Sequence, residues 1–139
     1  MTSQRKKAPV RAALTRAHAL QAAGEEGRAL EVLVELVRAA PADAAARSAL
    51  ADFLALQGRP AEAIESYEKA LALEPDAPAV LMSLARLYLR HAEAAKAEET
   101  LRRAVARKAG PEASLLLGEL LKDKGASDEA APHLRRAAA

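Results

Sequence analysis

The 139-residue sequence predicts an all-α protein, an α-solenoid of about four antiparallel helix pairs. Three observations carry that expectation. The apolar residues are mostly alanine, the pattern recurs every 34 residues, and helix start and stop signals fall at the same places in each recurrence. The hydrophobic fraction is 51%, yet 38 of those residues are Ala and only Phe53, Tyr67 and Tyr88 are aromatic. Alanine gives up no side-chain entropy in a helix and lets two helices come close. A sheet would draw instead on Val, Ile, Thr and aromatics.

The period is read from punctuation first. Pro41 and Pro75 are 34 residues apart, and so are Gly24 and Gly58. Stepping the chain by that length aligns four repeats, 10–43, 44–77, 78–110 and 111–139, the third being one residue short. A small residue then recurs at Ala17, Ala51, Ala85 and Gly118, with a large one three places on at Leu20, Leu54, Tyr88 and Leu121. A second small column is Ala29, Ala63, Ala97 and Ala130, followed one helical turn later by Leu33, Tyr67, Leu101 and Leu134. The turn column is Gly24, Gly58, Ala92 and Gly125. Single alanine columns mean little in so alanine-rich a chain, but five columns at one offset define a repeat.

Each repeat reads as helix, tight turn, helix. The expected helices are 10–23, 26–39, 43–57, 60–73, 77–91, 94–108, 111–124 and 127–138. In the second repeat Asp43 is expected to cap the first helix, and Gly58 to end it in a left-handed conformation. Pro60 suits the first turn of the next helix, where a missing N–H costs nothing. Asp76 and Pro78 are the corresponding start signal of the third repeat, Gly110-Pro111 that of the fourth, and Ser127 the expected cap of the last helix. Residues 1–9, with Arg5, Lys6 and Lys7, are expected to form a disordered basic tail; 10–139 then make one domain.

Composition excludes several roles. With no Cys there are no disulfides, thiolate metal sites or thiol nucleophiles. Twenty-one basic and nineteen acidic groups leave a net charge of +2, so no global field draws the chain to nucleic acid or acidic lipid. No apolar run approaches the ~20 residues of a membrane span, and Arg11, Arg16 and His18 interrupt any leader-like start. A cytoplasmic protein is the default expectation, and heavy Ala and Arg use points to a GC-rich bacterial genome. His18, His91 and His133 fall in different repeats and on different helix faces, and no glycine loop suited to phosphate occurs. Neither an enzyme nor a cofactor or metal protein is expected.

The columns resemble the tetratricopeptide repeat, most closely in Leu50-Ala51, Leu54, Gly58, Ala63, Tyr67, Ala70 and Pro75. The resemblance runs from about Val10 to the end. It departs where the repeat often opens with Trp, here Ala13, Arg47, Leu81 and Ser114, and at Ala109, which replaces the closing Pro. It implies a right-handed superhelix and a concave groove, lined by the first helix of each repeat, that binds an extended peptide or an amphipathic helix of another protein. Carried over, the groove residues are Leu14 and His18; Ser48, Asp52 and Leu56; Met82, Arg86, Leu89 and Arg90; and Leu115, Glu119 and Lys122.

His18, Asp52, Arg86 and Glu119 hold equivalent places, which sets Arg86 between two carboxylates. That line reads either as a charged ladder fixing a ligand's register or as internal ion pairing. Leu14, Leu56, Met82, Leu89 and Leu115 read equally as apolar anchors or as core. The family's clamp for chaperone C-termini is missing, because Leu14, His18, Ala49, Ala79 and Ser83 stand at its places. Arg102, Arg103, Arg107, Lys108, Arg135 and Arg136 form either a basic patch for an acidic partner or a solvated face near helix C-termini. Arg16 stands where later repeats have Leu50, Leu84 and Leu117, as an N-terminal cap should, whereas no polar helix follows the fourth repeat. Self-association through that uncapped C-terminal face is therefore an expectation too. The main expectation is a scaffold; a chaperone dedicated to one client and a self-stacking structural protein are the alternatives.

Overall fold

In the computed structural model the chain forms eight α-helices, and among the described residues there are no strands. The description covers residues 2–139, with side chains from Pro9 onward. The tail expected over 1–9 falls almost wholly outside the residues whose side chains are described. The chain divides into two compact units, Met1–Leu73 and Glu74–Ala139. The first holds α1 (Thr2–Ala22), α2 (Glu26–Ala39), α3 (Ala44–Leu56) and α4 (Pro60–Leu73); the second holds α5 (Pro78–Arg90), α6 (Ala94–Ala106), α7 (Pro111–Asp123) and α8 (Ser127–Ala138).

Within each unit, helices pack on their neighbours in sequence: α1 on α2, α2 on α3 and α3 on α4 in the first, with α1 also touching α3. In the second, α5 packs on α6, α6 on α7 and α7 on α8. The two small columns lie where these helices meet. Ala29, Ala51, Ala63, Ala85 and Ala97 are 0% exposed, and Ala17 and Ala130 are nearly so. Gly118 makes the need for a small residue explicit, because a Cβ there would stand 2.6 Å from Leu134 Cδ2 and 3.3 Å from the Leu134 nitrogen. Large residues fill the flanks. Ala17, Ala29, Leu33 and Phe53 form one core cluster of the first unit, and Val10, Leu36 and Ala46 a second.

The turn column explains how each pair reverses. Gly24, Gly58 and Gly125 have φ of 77, 69 and 88°, the left-handed region a glycine enters without a Cβ penalty. In each case the next N–H reaches back to the carbonyl of the large column residue: Glu25 to Leu20 (2.9 Å), Arg59 to Leu54 (3.0 Å), Glu93 to Tyr88 (2.9 Å) and Ala126 to Leu121 (2.8 Å). These six-to-one bonds satisfy carbonyls the helix end leaves open. One column therefore fixes packing through its side chain and the turn through its main chain. Ala92 takes the same conformation, φ 56°, without being glycine.

Start signals were only partly as expected. Asp43 caps α3, its carboxylate accepting from the Ala46 N–H at 2.9 Å. Pro60, Pro78 and Pro111 each open a helix. Asp76, however, is not the cap of α5; that place belongs to Ala77, and the Asp76 carboxylate pairs instead with Arg107 at 2.6 Å. Ser127 is the first residue of α8 and not its cap, which is Ala126.

Candidate functional site

The first helices of the repeats carry the residues singled out from sequence, α1 and α3 in one unit, α5 and α7 in the other. In the first unit Leu14 is half-buried and packs against both core clusters. His18, one turn on, is exposed. On α3, Ser48, Asp52 and Leu56 follow at four-residue steps on one face. The Ser48 hydroxyl donates to the Ala45 carbonyl at 3.2 Å. Leu56 is 73% exposed, the most exposed of the large hydrophobic residues described.

Asp52 joins three helices. Tyr67, from α4, donates its hydroxyl to the Asp52 carboxylate, and His18, from α1, bears on it electrostatically. Partial loss of water pushes the Asp52 carboxyl above its ordinary range, while the Tyr67 bond and the His18 charge pull it partly back. Tyr67 was read from sequence only as a core residue. Its second role has no linear signal, because the hydroxyl reaches fifteen residues back along the chain.

In the second unit α5 is buried on more than one side, through Leu81, Met82, Leu84, Ala85, Leu87 and Tyr88. Met82 is accordingly 5% exposed and belongs to the interior, not to a surface that could grip a ligand. Leu89 is half-buried, and Arg86 and Arg90 are exposed. On α7, Leu115 is 40% exposed, with Glu119 and Lys122 exposed on the same helix.

The Arg86 guanidinium pairs with Glu112 through two bonds, Nε to Oε1 at 2.9 Å and Nη2 to Oε2 at 2.5 Å. That fork holds the Glu112 carboxyl below its usual range. This fork meets α7 seven residues before Glu119, the place the expected line gave it. Side chains on a helix lean toward its N-terminus, so a long Arg on α5 reaches an earlier place on the parallel helix α7.

The basic residues of α6 are largely occupied from within. Arg102 pairs with Glu98 at 2.8 Å and Glu129 at 2.5 Å, and Lys124 pairs with Glu98 at 2.8 Å. This four-residue network ties α6 to the end of α7 and to α8. Glu98, with its side chain 16% exposed, is its centre. Hydrogen bonds from Lys124 and then Arg102 hold the Glu98 carboxyl below its ordinary range. Arg103 donates to the Pro75 carbonyl, and Arg107 takes Asp76. Most of the cations on α6 therefore fasten the second unit together. Among the described residues no group of three His, Asp or Glu could hold a metal ion, and no helix is long and apolar enough to cross a membrane.

Stacked antiparallel pairs with small residues at the crossings define a helical-repeat class of two helices per repeat. Two tetratricopeptide-repeat models match, over residues 14–78 and 54–120. The chain belongs to the tetratricopeptide repeat family, whose repeats build protein-interaction scaffolds. It is 39% identical over 95 residues to the cellulose synthase operon protein C of Pseudomonas fluorescens (strain SBW25), a stretch that is 68% of this chain and 7% of that protein. The chain thus spans a small fraction of the curated relative it matches.

Among solved structures it is similar to MamA, with a TM-score of 0.82 and 24% identity over 92% of this chain and 75% of that one. It is also similar to YrrB, described as a repeat protein of this family with an unusual peptide-binding site, at a TM-score of 0.79 and 22% identity over 90% of this chain and 65% of that one. PilF of Pseudomonas aeruginosa shares the fold at a TM-score of 0.79 and 21% identity, over 95% and 61% of the two chains.

Proposed function

We propose that the protein is a non-catalytic scaffold that binds a peptide or amphipathic helix of a partner protein on the faces of its first helices. The observation that carries this reading is the placement of exposed apolar residues. Val34, Leu56, Leu73 and Leu115 are the exposed large hydrophobics among the described residues, and Leu56 and Leu115 lie on first helices, within the polar faces expected to form the groove. Leu56 stands one turn from Asp52, and Leu115 one turn from Glu119. An apolar contact bordered by fixed charges suits an amphipathic ligand, which sets its apolar stripe on the leucines and its register on the charges. The likeness to YrrB supports the same reading, and the alanine-rich composition together with the pseudomonad match supports a bacterial host.

Photo-crosslinking residues introduced at Leu56 and Leu115, with Val34 as the outer control, test this directly. A shared crosslinked partner from Leu56 and Leu115, lost when the other leucine is changed to Asp, is the expected result. Crosslinking that is equally strong from Val34, or indifferent to the Asp substitutions, would remove the groove from the reading. A dedicated chaperone is told apart by whether the captured partner stays soluble only in the protein's presence.

A further inference from the structure

In the first unit one aimed carboxylate is left without a basic partner. Arg28, Arg38, Arg59 and Lys69 each pair with a glutamate three or four residues away along the chain. Arg47 gives its Nε–H to the Pro41 carbonyl. None of these cations is joined to Asp52; among the described residues only His18, exposed on α1, bears on it as a base. The equivalent place in the third repeat shows the other outcome. Arg86 there is met from within, its fork taking both oxygens of Glu112.

Asp52 is nonetheless a fixed group and not a loose surface acid. Tyr67, 3% exposed, stands behind it on α4 and donates its hydroxyl to one carboxylate oxygen. A phenol locked by packing aims the group it bonds. Among the described residues no hydrogen bond or ion pair takes the other oxygen. Partial loss of water pushes the carboxyl above its ordinary range. Its charge therefore gains more from an arriving cation than that of a fully solvated acid. One turn further along the same face of α3 stands Leu56, 73% exposed. One turn the other way, the Ser48 hydroxyl is already held by the Ala45 carbonyl. The face thus offers an aimed carboxylate beside a bare apolar side chain.

We propose that this face takes a partner helix bearing a lysine or arginine one turn from an apolar residue, the cation on Asp52 and the apolar side chain on Leu56. Tyr67 is a positioning residue, acting on the ligand only through the carboxylate it holds. An acidic ligand would meet like charge, since between residues 10 and 73 nine Asp and Glu outnumber seven Lys and Arg. The proposal rests on the first-helix reading and narrows it to a basic ligand.

Selection on the full chain tests it, from a displayed library of helical peptides about 15 residues long, the length at which an isolated helix begins to hold. The library varies the polar positions beside a fixed apolar stripe. Peptides whose binding is lost in Leu56→Asp should carry lysine or arginine one turn from an apolar residue. Replacing that basic residue by Gln should weaken such a peptide about tenfold near neutral pH, the scale of one charge-assisted hydrogen bond. In Asp52→Asn, which keeps an acceptor for the Tyr67 hydroxyl, the basic and Gln peptides should bind alike. Tyr67→Phe should narrow the gap between them while leaving the Gln peptide as it was, which a loss of packing alone would not do. His18→Lys, on an exposed residue, sets a permanent cation beside Asp52 and should narrow the gap too. Leu56-dependent peptides without basic enrichment, equal binding of basic and Gln peptides to the wild type, or a gap that survives Asp52→Asn would each overturn the basic ligand and leave the first-helix reading standing. A library that yields no Leu56-dependent peptide would remove both.

Discussion

At the scale of single residues, the turn column shows how closely sequence and backbone agree, and where they part. Three of its four members are glycines in the left-handed region; the fourth, Ala92, holds the same conformation at φ 56°. For an L-residue with a Cβ that conformation costs about 1 kcal/mol. Ala92→Gly should therefore raise the stability of the protein by about 1 kcal/mol, read as a shifted denaturation midpoint with an unchanged slope. A neutral or destabilising result would mean that Ala92 makes contacts worth as much as its strain. Caps were legible where one side chain had one local task, as with Asp43. Asp76 and Ser127 misled because a cap is a competition. Asp76 found a stronger charged partner in Arg107, and the chain turned into α8 one residue before Ser127.

Among elements, the Glu98 network decides how the last helix pair is held. The pairing of Glu98 with Arg102, four residues apart on α6, is visible in the sequence. Lys124 and Glu129 are not, because they arrive from the end of α7 and from α8. Hydrogen bonds from Lys124 and then Arg102 depress the Glu98 carboxyl, and one from Arg102 the Glu129 carboxyl, below the ordinary value of 4.5. A depressed carboxyl stabilises the folded state above its unfolded value, and the benefit is lost as pH falls through the folded one. The network should thus be fully formed near neutrality and fail below about pH 4.5. Glu98→Gln should lower stability at pH 7 by roughly 1 kcal/mol and flatten the acid limb of the stability profile. Parallel acid limbs in wild type and variant would show the network to be ornamental. The same distinction governs the candidate groove. Its helices were legible, but Met82 sank into the interior, Arg86 chose Glu112, and Tyr67 claimed Asp52. Periodicity assigns a residue to a face; how far that face turns inward, and how far a long side chain leans, follow from packing between helices.

For the molecule as a whole, the fold was legible because a repeat states its rules several times. Four recurrences outweigh the ambiguity of any one alanine, and the eight helices fall where the columns set them within two residues at every end but one, α1 beginning at Thr2 and not at residue 10. The site was harder to read because a binding surface is stated once and in three dimensions. Packing within each unit runs mainly between helices adjacent in sequence, the longer steps described being α1 on α3, the Arg86–Glu112 fork from α5 to α7 and the Arg102–Glu129 pair from α6 to α8, and this has a consequence in time. No distant segments must find each other before an interaction rewards the search, so little loop entropy stands between the collapsed chain and its native contacts. Refolding from denaturant should be complete within about milliseconds, the range of helical proteins built from local contacts. Stopped-flow traces dominated by phases of seconds would contradict that. A chain built in this way finds its structure by growing outward from any formed pair, each helix finding its surface already waiting.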